Sequence, residues 1–172
     1  MSIRAEGNKL NPDSYIELLE VDATHLGAGI LFYTNSSKDP ILWAGQTYNP
    51  FPYKLDNLST KGDGTALARP TIEVSNVHKT FHTALLSLGN LVGVKMTRRR
   101  TFYKFTGNGT NPDTNAEYPP QEFIVSRKLT QTKTIIKLEL ASLLDRPSLK
   151  LPPRLILRDF GFPGVSRVRF RG

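Results

Sequence analysis

Between residues 121 and 142 the chain reads QEFIVSRKLTQTKTIIKLELAS, an alternation of apolar and polar side chains that no other segment matches. A period of two puts successive side chains on opposite faces of a pleated strand. The segment is therefore predicted to be a hairpin: Glu122 to Leu129, a polar turn around Thr130 to Lys133, and a return strand. In that strand Thr134, Ile136, Leu138 and Leu140 face inward, and Ile135, Lys137 and Glu139 face outward.

Other segments follow the same logic. Tyr15 to Thr34 is two short apolar runs around His25-Leu26-Gly27-Ala28-Gly29, a strand, turn and strand. In ILWAGQTYNPFP (41–52), Ala44-Gly45-Gln46 separates two aromatic-bearing ends, a short hairpin whose prolines then stop regular pairing. After a Gly-Asp-Gly lead comes a strand in which Ile72 and Val74 point one way and Thr71, Glu73 and Ser75 the other. Phe81, Leu85 and Leu88, ending at Gly89-Asn90, have the spacing and terminus of a short helix. FTGNGTNPDTNAEYPP (105–120) is rich in Gly, Asn and Pro and predicts an exposed loop. The expected fold is mainly β, an antiparallel, barrel-like domain over residues 1–146 with one short helix. Pro147, Pro152, Pro153 and Pro163 then impose an extended, Pro-rich basic arm over 147–172.

LVGVKMTRRRTFYKF (91–105) raises a question of its own. It opens as a buried strand, with Val92, Val94 and Met96 on one side, and runs into Arg98, Arg99 and Arg100. Arg98 and Arg100 share the apolar side; Arg99 shares the other with Lys95, Thr97 and Thr101. Burying an unpaired guanidinium costs several kcal/mol, so the strand is expected to emerge at an end or edge of the sheet near Thr97. There the arginines either pair weakly in solvent with local acids such as Glu117 or Glu122, or meet a partner whose carboxylates or phosphates use the planar fork.

Composition narrows the function classes. In 172 residues, 38% of them hydrophobic, a single soluble domain can bury a core. The net charge is +8, and six of those charges fall after residue 145, where six Arg and one Lys face only Asp159. A near-neutral body with a basic arm fits docking to an acidic protein surface, nucleic acid or an anionic membrane face. There is no cysteine, which excludes disulfides, thiolate metal sites and cysteine nucleophiles. No run of about 18 apolar residues could span a bilayer, and the N-terminus lacks a signal-peptide core. His25, His78 and His82 are the imidazoles; the last two stand four apart without a third ligand, and Asp56 and Asp63 sit in turn-like sequence. No catalytic, cofactor or metal residue is nominated, and the chain is read as not an enzyme. A nucleic-acid-binding β domain is the rival class, but Phe102 and Lys104 lie on one side and Tyr103 and Phe105 on the other, so no face forms a stacking platform.

Six phrases in order, LWAGQTYNPFP (42–52), LARPTIEVSN (67–76), NLVGVKMTRRRTF (90–102), AEYPPQEFIVSRK (116–128), LELASLLD (138–145) and KLPPR (150–154), resemble the minor tail protein L family over roughly Tyr15 to Leu157. These are tail-tip proteins of long, non-contractile-tailed phages of the lambda type. The resemblance implies a structural virion protein of the distal tail tip, assembled in the host cytoplasm. It would form a homotrimeric hub ring that joins tail-tube-side minor tail protein to the central fibre protein, with the tape measure protein as a further neighbour. It makes Arg98, Arg99, Arg100, Arg154, Arg158, Arg167 and Arg169 candidates for contact with adjacent hub subunits or flanking tail proteins; DNA contact is confined to the lumen. Lambda-type members carry C-terminal cysteines associated with an iron-sulfur cluster. Here that segment reads RLILRDFGFPGVSRVRFRG, so no thiolate-ligated cluster is expected, and the basic arm is expected to do the docking.

Overall fold

The computed structural model describes residues 3–58, 69–75 and 91–142. They contain a short helix α1 (Ile3–Gly7) and nine strands: β1 (Tyr15–Asp22), β2 (Ile30–Thr34), β3 (Ile41–Trp43), β4 (Gln46–Pro50), β5 (Tyr53–Asp56), β6 (Thr71–Ser75), β7 (Lys95–Phe102), β8 (Tyr118–Gln131) and β9 (Ile135–Ser142). The fold is mainly β, as the alternation requires. The helix expected at 81–90 and the arm at 147–172, with Arg154, Arg158, Arg167 and Arg169, lie outside the described residues.

All nine strands form one sheet in the order β3-β4-β2-β1-β7-β8-β9-β6-β5. Every pairing is antiparallel except β2 with β4, where Tyr33 meets Asn49 in parallel. Only Phe51 and Pro52 separate β4 from β5 in sequence, yet the two strands stand near opposite ends of the order. The three Cα–Cα steps from Pro50 to Tyr53 span at most about 11 Å, so the sheet must curl until its ends approach. The Phe51 amide donates to the Thr34 carbonyl (2.8 Å), the Asn35 side chain to the Tyr53 carbonyl (3.2 Å) and the Ser75 amide to the Pro52 carbonyl (3.1 Å). These bonds hold the two ends together in a barrel-like wall.

β1 is buried on both faces, which is why YIELLEV is nearly continuously apolar. Leu19 and Val21 join a core with Met96, Val125, Ile136, Leu138, Leu140, Ile72, Val74 and Tyr53. Ile16 and Leu18 join a second core with Ile41, Trp43, Tyr48, Phe102 and Phe105. The β3–β4 connection is Ala44-Gly45 with φ of 49° and 77°, the left-handed pair that a two-residue hairpin turn demands.

Two expectations are corrected and two are refined. Val92 precedes the strand and is half exposed, because Leu91 and Gly93 turn the chain at positive φ before β7 begins. Glu139 lies on the outer face as expected but is buried there and not solvated: Arg69 and Arg127 reach it at 2.8 and 2.9 Å and hold its carboxyl below the usual range. Thr134 is exposed and belongs to the turn. The segment 105–120 is largely exposed, as expected, and it is also tied to the sheet. The Gly107 amide donates to the Leu42 carbonyl (2.7 Å) and Asn108 Oδ1 accepts from the Leu42 amide (2.9 Å), so the segment satisfies the outer edge of β3, which would otherwise be open to another strand. Phe105, Thr106 and Ala116 are buried beneath it.

Helix α1 is pinned by charge. Glu6, 3% exposed, accepts from Lys104 Nζ and from Lys9 Nζ (2.7 Å), and these bonds lower its carboxyl pKa from 4.5 to about 2. A depressed carboxylate contributes stability that is present above its unfolded value and lost as pH falls through its folded one. The difference in urea stability between wild type and Glu6→Gln is therefore expected to be constant above pH 5, to shrink between about 4.5 and 2, and to vanish below. A difference unchanged by pH would show that Glu6 acts through packing alone.

Candidate functional site, an arginine ladder on the central strand

β7 is the fifth of nine strands, hydrogen-bonded on both sides, so Arg98, Arg99 and Arg100 lie at the centre of the sheet and not at an end or edge. What permits this is that the two neighbouring strands supply acceptors. Register places Leu19, Leu18 and Glu17 of β1 opposite Arg98, Arg99 and Arg100, and Glu17 and Glu20 project to opposite faces.

On one face, Arg98 Nε donates to Glu17 Oε2 (2.6 Å), its Nη2 also meets Glu17, and Nη1 donates to Gln121 Oε1 (2.8 Å). The two charged side chains are only 13% and 11% exposed. The Ser36 hydroxyl accepts from the Glu17 amide (2.9 Å) and the Thr34 hydroxyl donates to the Glu17 carbonyl (2.8 Å), so the strand around the acid is fixed from β2. On the other face, Arg99 Nε donates to Glu20 Oε1 (2.7 Å), and Nη1 donates to both oxygens of Glu117 (2.8 and 3.0 Å). Burial works against the Arg99 charge, but the bonds to Glu117 and Glu20 outweigh it and hold the guanidinium protonated. The Tyr48 hydroxyl donates to Glu20 (2.6 Å), and burial, reinforced by that bond, pushes its pKa up.

A bulge sets the β8 side of this arrangement. Arg98 pairs with Gln121 but Arg100 pairs with Tyr118, so Pro119 and Pro120 together oppose Arg99. Proline has no amide to give a ladder and is tolerated in a sheet at such irregularities. The extra residue reverses the alternation below it. Glu117 turns to the Arg99 face and Tyr118 to the Arg100 face, with the Arg100 guanidinium carbon 5.5 Å from the Tyr118 ring centre.

Of the local acids expected near the arginines, Glu117 does bind Arg99, while Glu122 pairs with Lys95 (2.8 Å). Glu17, Glu20, Gln121, Tyr48 and Tyr118 were not anticipated. A signal for two of them exists: Glu17 and Glu20 are carboxylates in an otherwise apolar strand, and buried charges require partners. His25 lies in an exposed turn, and Asp56, at the end of β5, pairs with Lys54 (3.0 Å). His78, His82 and Asp63 lie outside the described residues.

The described residues thus form a curled, mainly β sheet in which charged side chains of β1, β7 and the start of β8 bind one another across strands. Comparison with solved structures finds the same fold in a chain of the virion of a native gene transfer agent particle, with a TM-score of 0.54, 13% identity and coverage of 87% of this chain and 47% of that one. The family model for phage minor tail protein L matches residues 24–164, and the chain belongs to that family of phage tail structural proteins. Tail tip protein L of Escherichia phage lambda is 24% identical over 147 residues, covering 83% of this chain; the chain spans 63% of that protein's length.

Proposed function

We propose that this protein is a component of the distal tail tip of a long non-contractile-tailed phage, a hub subunit that joins tail-tube-side proteins to the central fibre protein. Membership of the minor tail protein L family across residues 24–164 carries this reading. A closed ring of hub subunits needs heterologous surfaces that meet at a fixed angle, and a curled sheet knitted by internal ion pairs is a rigid body on which such surfaces keep their geometry. The basic residues after 146, with no thiolate to hold a cluster, are the segment we assign to docking. A row of cations tracking phosphate is less compatible with the ladder, because Arg98 and Arg99 already donate to carboxylates.

Negative-stain imaging of purified virions labelled with an antibody to this chain tests the proposal. Label is expected at the free end of the tail, and tails lacking the chain are expected not to complete assembly. Label on the capsid, or none on infectious particles, would overturn it.

A further inference from the structure

The charge ladder is not balanced face by face. The face shared by Arg98 and Arg100 has two guanidinium groups against the single carboxylate of Glu17, which closes on Arg98. The opposite face has one guanidinium, Arg99, against Glu20 and Glu117. Arg100 accordingly has no carboxylate partner among the described residues. Its Nε is buried without a hydrogen-bond acceptor, and its guanidinium rests on the Tyr118 ring. Around it stand Tyr15, 46% exposed, and Phe102, with ring centres 6.3 Å apart and both within 6.5 Å of Tyr118. Gly7 of α1 backs the cluster so closely that an added Cβ would lie 2.8 Å from the Tyr118 hydroxyl. Arginine and tyrosine are the residues that dominate binding energy at protein interfaces, above all where packing holds them in place before the partner arrives.

Resting on the tail-tip reading, we infer that Arg100, with Tyr15 and Tyr118, forms an interface with a different tail protein, which supplies an Asp or Glu carboxylate to the Arg100 guanidinium. Charge complementarity names the carboxylate: one is missing on this face, and the Arg fork matches it in a bidentate bond. Geometry argues against a second copy. The complementary acidic excess, at Glu20 and Glu117, lies on the opposite side of the same strands, so copies matched through these two faces would stack head to tail. Surfaces with opposed normals generate a filament and not a closed ring.

The test compares wild type, Arg100→Met and Arg100→Glu as full chains, supplied to a phage lacking its own copy. It reads the amount of chain in purified tails and the melting midpoint of each isolated chain. Arg100→Met removes the orphaned Nε while keeping apolar contact with Tyr118, so its midpoint is expected to equal or exceed that of wild type. Its amount in tails is expected to fall roughly tenfold or more, as when an interface anchor is lost, with Arg100→Glu lower still. Restoration of Arg100→Glu by an acid-to-base substitution in another tail protein would identify the partner. Normal incorporation of Arg100→Met and Arg100→Glu would overturn the inference, as would restoration by a substitution within this chain, which would assign the carboxylate to a second copy. Absence of the wild-type chain from tails would instead overturn the tail-tip reading itself.

Discussion

Replacing Glu17 by alanine is expected to destabilise the folded chain by about 3–5 kcal/mol, the cost of leaving a buried guanidinium without its counter-ion. The Arg98 side chain is 13% exposed and sits between β1 and β8, so water cannot simply replace the carboxylate. For a chain of this size the loss corresponds to a fall of roughly 6–20 °C in Tm. The mechanism has a second consequence that separates it from ordinary loss of packing. Substituting both partners, Glu17→Leu with Arg98→Leu, is expected to recover most of the stability, because apolar residues of similar volume replace a buried ion pair at little net cost. Urea unfolding of Glu17→Leu, Arg98→Leu and the double variant gives the coupling directly. A Glu17→Ala chain within about 1 kcal/mol of wild type would mean that the pair behaves as a solvated one.

Gly109→Ala is expected to cost about 1–3 kcal/mol, the range for forcing atoms into packed space. An added Cβ would lie 2.3 Å from the Tyr103 carbonyl oxygen and 2.6 Å from two Lys104 backbone atoms. Those are main-chain atoms and cannot rotate away, so the segment itself must move. The bonds most exposed to that movement are those of Gly107 and Asn108 to Leu42, which close the β3 edge. Hydrogen exchange at the Leu42 amide is therefore expected to speed up in the variant more than exchange at Leu138 or Leu140 in the core. Unchanged stability together with unchanged Leu42 protection would show that residues 105–120 are as loosely held as their Gly- and Asn-rich composition implies.

How far the fold was legible is clearest where a strand obeys one face. Ile72 and Val74 in β6, and Ile136, Leu138 and Leu140 in β9, are buried as their spacing dictates, since a sheet with one inner wall requires that alternation. Glu139 breaks it because Arg69, 70 residues earlier, approaches from outside the strand, and periodicity within a segment carries no information about such an approach. The candidate site was legible in its residues and misplaced in its location. Three consecutive arginines stand out in the sequence, but the carboxylates of Glu17 and Glu20 that meet Arg98 and Arg99 are about 80 positions away, brought alongside only when β1 and β7 pair.

By itself the sequence determined a mainly β chain with a basic C-terminal segment and, through ordered phrases, its family, because side-chain alternation and local turn chemistry are written residue by residue. Only the tertiary structure decided that the arginine strand is central and that its charges are neutralised unequally on the two faces. One extra residue at Pro119-Pro120 sends Glu117 to Arg99 and leaves Arg100 against Tyr118. Strand order and bulge register arise from pairings between distant segments, so which guanidinium stays without a carboxylate is a property of the assembled sheet.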